Sequence, residues 1–253
     1  MGKRYNCLFP TIIFYLATFQ VSAEITWLDL QRQIPDLQLQ TFESANLTVT
    51  VHNAQTAVQV PRGTVVILPD QQQHALSPDL LNTLRLNLPI AGWNLIILPA
   101  PDALPAQTTE QRLQLQKSQL SQRWQLIQQQ GNLRPPVIAI AQGEVAAVLR
   151  VLLGEDLSNR PAAMISLGAY LPNYEQHKQA LSGYASVSLP FLDLITAQDH
   201  PHAMAALEQR ITLAKQTNNP LYRQRYLADA YHNASMQQWF ANEILGWLKT
   251  NGF

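Results

Sequence analysis

Residues 134–153 constrain this chain more than any other stretch. They read Arg-Pro-Pro-Val-Ile-Ala-Ile-Ala-Gln-Gly-Glu-Val-Ala-Ala-Val-Leu-Arg-Val-Leu-Leu, a buried strand passing through a tight turn into a helix. Val137 to Ala141 is apolar and follows Pro135-Pro136, which punctuate the chain before a strand. Glu144 to Leu153 has helical apolar spacing and stops at Gly154. Such a turn pushes one side chain out above a sheet beside free backbone N–H groups, and several α/β enzymes place a nucleophile there. The residue at that point is Ala141, which has no nucleophilic atom.

The rest of the chain alternates strand and helix signals. Glu24 to Pro35 reads as a short helix or a peripheral strand, and Leu47 to Val51 alternates as a half-buried strand does. Thr64 to Leu68 and Asn94 to Leu98 are apolar runs of the kind covered on both faces of a sheet. Between them a helix starts at Ser77-Pro78, with Ser77 as cap, and runs to about Leu88. Gln107 to Gln130 predicts a long helix with Leu113, Leu120, Trp124 and Ile127 on one stripe and glutamines on the other. Strands follow at Ala163–Leu167 and Phe191–Thr196, then a helix over Met204–Thr217 and a short strand near Arg225–Ala228. A final helix, Ala234 to Thr250, buries Met236, Phe240, Ile244 and Trp247. This order predicts one domain, with a mostly parallel central sheet and helices on both faces.

Composition narrows the function classes. An apolar fraction of 47% with 13% charged residues is that of a globular chain and excludes a disordered tail. The formal net charge is +0 and no Lys/Arg run occurs, which argues against nucleic-acid binding. Residues 1–23 read as a signal peptide: Lys3 and Arg4 are basic, Leu8 to Thr18 is apolar, and Val21-Ser22-Ala23 suits signal peptidase. Cleavage after Ala23 would leave residues 24–253 as one exported domain, periplasmic or secreted, with no stable membrane span. The single cysteine, Cys7, falls inside the signal, so the mature domain would rely on its core without disulfides.

The order of elements resembles the α/β-hydrolase fold over essentially the whole chain after residue 23. Within it, the chain is similar to a family of exported bacterial α/β-hydrolase-like proteins of unknown function. That likeness rests on Val65–Leu68, on Leu88-Pro89 and Gly92-Trp93 before Asn94–Pro99, and on Gly246-Trp247-Leu248. Hydrolases of this fold carry a small-x-Ser-x-Gly elbow, and the matching stretch is Ala139-Ile140-Ala141-Gln142-Gly143. The resemblance implies an acid at Asp199, after the strand Phe191–Thr196, and a base at His232, before the last helix. It also implies a vacant nucleophile position at Ala141. The backbone N–H of Gln142 would be one oxyanion donor. The second would come from the loop after Thr64–Leu68, where many relatives carry His-Gly and this chain has Pro69-Asp70-Gln71. A carboxylate at Asp70 would oppose a developing oxyanion, so Asp70, Gln71 and Gln142 are expected to bind rather than to catalyse.

The same residues have plainer readings. Asp199 suits a helix cap before His200-Pro201-His202, and His232 suits an exposed loop. Asp199, His200 and His202 lack the further ligands of a zinc site, so no metal and no cofactor are expected. Ser166 reads as a polar strand end or a substitute nucleophile, and Glu144 as a favourable charge in a helix's first turn. The leading expectation is a non-catalytic hydrolase-like protein, a pseudoenzyme, holding a small molecule or an envelope protein in the former active-site cleft. Without a nucleophile, covalent acyl transfer has no first step. The alternatives are a residual esterase using His232 and Asp199, and a scaffold whose Gln-rich helix docks a partner.

Overall fold

Val137–Gln142 (β5) is the strand about which the sheet is assembled, because its alternating side chains feed two separate cores. Ala139 and Ala141 face one side, while Ile138 and Ile140 face the other. The computed structural model describes residues 27–34, 37–71, 73–74, 80–99, 108–155, 157–181, 188–216, 220–228 and 234–253. Residues 1–23, the expected signal segment, the expected Ser77-Pro78 helix start and His232 lie outside these described residues.

In chain order the elements are α1 (Trp27–Gln33), β1 (Leu39–Ser44), β2 (Leu47–Ala54), β3 (Gly63–Leu68), α2 (Leu80–Ile90), β4 (Trp93–Ile97) and α3 (Thr109–Gln130). After β5 come α4 (Gly143–Gly154), β6 (Ala163–Leu167), α5 (Tyr174–Leu181), β7 (Phe191–Thr196), α6 (Pro201–Ala205), α7 (Leu207–Gln216), β8 (Tyr222–Leu227) and α8 (Ala234–Thr250). The eight strands lie in the order β1-β2-β4-β3-β5-β6-β7-β8. β1 and β2 form an antiparallel hairpin, β2 meets β4 antiparallel, and every pairing from β4 to β8 is parallel.

Helices cover both faces, as the sequence predicts. On one, α3 and α4 pack Trp124, Ile127, Val148 and Leu149 against Val66, Ala139 and Met164. On the other, α2 and α8 pack Leu84, Leu88, Phe240 and Ile244 against Val65, Ile138 and Ile165. Each of these larger apolar side chains contributes about 2 kcal/mol by leaving water. Among the described residues no helix is long and apolar enough to cross a membrane.

Three elements depart from the expected pattern. β1 carries no sequence signal because only Phe42 along it is buried. α5 is short and mostly polar, with burial confined to His177, Ala180 and Leu181. The helix expected over Met204–Thr217 is two, α6 and α7, broken at the buried Ala206.

A polar knot is sealed inside the α3/α4 face. Asp193 on β7 accepts from Arg210 of α7 at 3.1 Å, from the Tyr222 hydroxyl at 3.0 Å and from Ser166 Oγ on β6. Arg210 and Asp193 are both fully buried, and Arg210 also donates to the Ala169 carbonyl. Ser166 is therefore a structural donor with no exposure, not a substitute nucleophile. Removing one partner strands a buried charge. Arg210→Met is expected to lower the unfolding free energy by about 3–5 kcal/mol in urea titrations, and a loss below about 1 kcal/mol would contradict the closed pair.

Candidate functional site

The carboxyl ends of β3, β5, β6 and β7 converge on one edge of the sheet, where open α/β sheets hold their ligands. The β3–β5 register pairs Leu68 with Ala141. Two residues beyond that pair on each strand, Asp70 and Gly143 come side by side.

Gly143 is the turn. Its φ is +57, in the left-handed region that a residue without Cβ enters at little cost. Ala141, which the sequence pattern puts at the turn, instead lies within β5, paired with Leu68 and Ser166 and 1% exposed. Gln142 ends the strand in extended conformation and caps α4 without a side-chain bond. The strand thus runs one residue further than its apolar run, and the residue lifted above the sheet is Gly143.

Asp70 occupies the space beside it. A Cβ on Gly143 would overlap the Asp70 carboxylate. That carboxylate accepts from the N–H of Glu144 at 3.1 Å and from the backbone N–H groups of Gln71 and Val145. The Tyr170 hydroxyl hydrogen-bonds to it as well. The first N–H groups of a helix carry partial positive charge, so α4 holds an anion from its own chain. Burial is the larger influence, however. Together with the nearby Glu144 it pushes Asp70 up to about 6, against the lowering by the three N–H groups. Burial and the charges of Asp70 and Glu144 likewise push Tyr170 up to about 12.

Surrounding residues brace this pair. Arg112 of α3 donates to Glu144 at 2.8 Å and to the Gln71 side chain at 3.2 Å, tying the β3 loop to α4. The Tyr170 ring stacks on His200 with centroids 4.1 Å apart, and its N–H reaches the Gly143 carbonyl at 3.3 Å. His200, not Asp199, caps α6, accepting from the His202 N–H at 3.1 Å. His202 in turn bonds the Leu171 carbonyl at 2.8 Å.

Asp199 lies at the same edge. It accepts from the Thr196 N–H at 2.6 Å and overlies Gly168, whose φ is +60 and whose missing Cβ makes room for the carboxylate. Asp70, Gln71, Gln142 and Asp199 thus all stand at the ends of the parallel strands. His232 falls outside the described residues. Sequence reasoning missed Tyr170 and took Gly143 as the small residue closing the elbow instead of its apex; the signal for the apex was its position as the first glycine after the strand.

The strand order and this edge define the α/β-hydrolase fold. The solved structures similar to the chain agree. TT1662 from Thermus thermophilus matches with a TM-score of 0.63 at 15% identity, covering 85% of this chain and 97% of that one. An esterase from Pyrococcus furiosus gives 0.62 at 10% identity, covering 87% and 92%. The esterase domain of a Rhodothermus marinus protein gives 0.60 at 11% identity, covering 85% and 98%. Residues 99–250 match DUF3530, a protein family of unknown function, and the chain belongs to that family. No curated protein matches the sequence.

The raised Asp70 value carries a signed consequence. A carboxyl with a folded value above its unfolded one contributes stability below the unfolded value, about 4, and loses it as pH rises through about 6. Relative to Asp70→Asn, the wild type should lose on the order of 3 kcal/mol of unfolding free energy between pH 4 and pH 8. The comparison with the variant cancels His52 and His177, which burial lowers to about 4 and which act in the opposite sense. Parallel curves for wild type and variant in pH-resolved denaturation would contradict the burial of Asp70.

Proposed function

We propose that this protein is a non-catalytic member of the α/β-hydrolase fold that binds a ligand or partner beside its former nucleophile turn. In this reading Gly143, rather than Ala141, holds the nucleophile's place. One observation carries it: the Asp70 carboxylate fills the space a side chain at Gly143 would need, while bonded to the Glu144 N–H. Acyl transfer by this fold requires a nucleophile lifted on the turn and free N–H donors aimed at the developing oxyanion. Here the first is glycine, and the N–H of the following residue already serves an internal anion. An occupied donor cannot favour the transition state, because it would first have to release Asp70.

Export fits the same reading. Residues 1–23 serve as a signal removed after Ala23, and the domain works in the periplasm. The Arg112–Glu144 and Tyr170–Asp70 contacts keep the turn rigid, which suits recognition more than turnover.

Assays with p-nitrophenyl acetate and butyrate test the proposal. Hydrolysis is expected at the buffer rate for the wild type, His232→Ala and Asp199→Ala alike. Turnover well above buffer that disappears in His232→Ala would replace this reading with a residual esterase built on His232 and Asp199.

A further inference from the structure

Beside the nucleophile turn is a cleft of about 320 Å³, walled by the first half of α3, by Glu144, and by the Leu171–Asn173 loop with Gln176 of α5. Its size is at the lower end of small-molecule sites. Its lining is unusual in being amide-rich without net charge. Arg112 contributes a guanidinium, but Glu144 neutralises it at 2.8 Å. Gln116, Asn173 and Gln176 contribute carboxamides, and Leu171 and Pro172 contribute apolar surface.

Two polar groups on this wall are buried. Gln116 is 4% exposed and lines the cleft. Arg112 Nε–H, one turn earlier on α3, is buried and lacks an acceptor among the described residues. Gln176 spends its Nε2 on Glu110 at 3.1 Å, and Asn173 spends its Oδ1 on the Gln176 N–H at 3.0 Å. The Gln176 oxygen and the Asn173 NH₂ take part in neither bond.

We propose that this cleft is a saccharide site, taking one or two rings of a neutral glycan. The proposal rests on the binding reading above and names the ligand class for it. A carboxamide both donates and accepts, as a sugar hydroxyl does, so the pairings close from either side. The absence of net charge disfavours a phosphate or carboxylate ligand. Leu171 and Pro172 offer apolar surface for the C–H face of a ring.

Titration calorimetry with N,N′-diacetylchitobiose, maltose and cellobiose, and with glucuronate as a charged control, tests the site. At least one neutral disaccharide is expected to bind with a millimolar or tighter constant, with glucuronate silent. Gln116→Leu removes the buried amide at similar volume, so it should fold with an unchanged or higher Tm while weakening that binding by about tenfold. Asn173→Ala, at the opposite wall, should weaken it as well. The proposal is overturned if none of the three disaccharides binds at millimolar concentration, or if binding is unaltered in Gln116→Leu. Ester turnover is read separately, so failure here leaves the non-catalytic reading standing, and esterase activity would remove that reading without touching a measured sugar affinity.

Discussion

The bond between the Asp70 carboxylate and the first N–H groups of α4 is the interaction on which the upper edge of the molecule depends. It joins the loop after β3 to the helix after β5 across two adjacent parallel strands. An anion at a helix N-terminus is favourable, and three backbone donors make this one a closed site. Its cost is desolvation, visible in the upward displacement of Asp70 towards neutrality. Gly143 is the complement: with a side chain there, the carboxylate would have nowhere to sit. Glycine and aspartate therefore define one feature. Either alone would leave a gap or a clash.

A rigid platform makes that feature possible. The two apolar faces of the sheet fix the strand ends, and the buried Asp193–Arg210–Tyr222–Ser166 knot locks β6, β7 and β8 to α7. On this platform the loops after β3, β6 and β7 can hold Asp70, Tyr170 and Asp199 without large helices to support each one. Asp199 repeats the Asp70 arrangement on a smaller scale, resting its carboxylate over Gly168. Twice along the same edge, a carboxylate fills space that a positive-φ glycine leaves open.

Much of this architecture was legible in the sequence because it is written in apolar runs. β3, β6, β7 and α8 are set by largely apolar runs or helically spaced apolar residues, and their positions follow directly. β1 and α5 were not legible: an edge strand with one buried residue and an eight-residue helix with three give patterns too short to read. The nucleophile turn was legible as a strand–turn–helix, but its apex was not. Ala141 ends the apolar run, yet the backbone ladder continues through Gln142, and only the dihedral at Gly143 marks the apex. Asp70 was recognisable as unfavourable to an oxyanion. Its meeting with Gly143 depends on the Leu68–Ala141 register, a long-range fact that no local pattern carries.

The central claim is that Asp70 takes the space and the hydrogen bonds that a nucleophile on the turn would use. A double-mutant cycle on Gly143→Ala and Asp70→Gly measures it directly. In the wild-type background Gly143→Ala should cost several kcal/mol, combining positive-φ strain of about 1–2 kcal/mol with the overlap on Asp70. In the Asp70→Gly background only the strain should remain, so the two costs should differ by at least about 1 kcal/mol. Equal costs in both backgrounds would mean that Asp70 does not occupy the nucleophile's place.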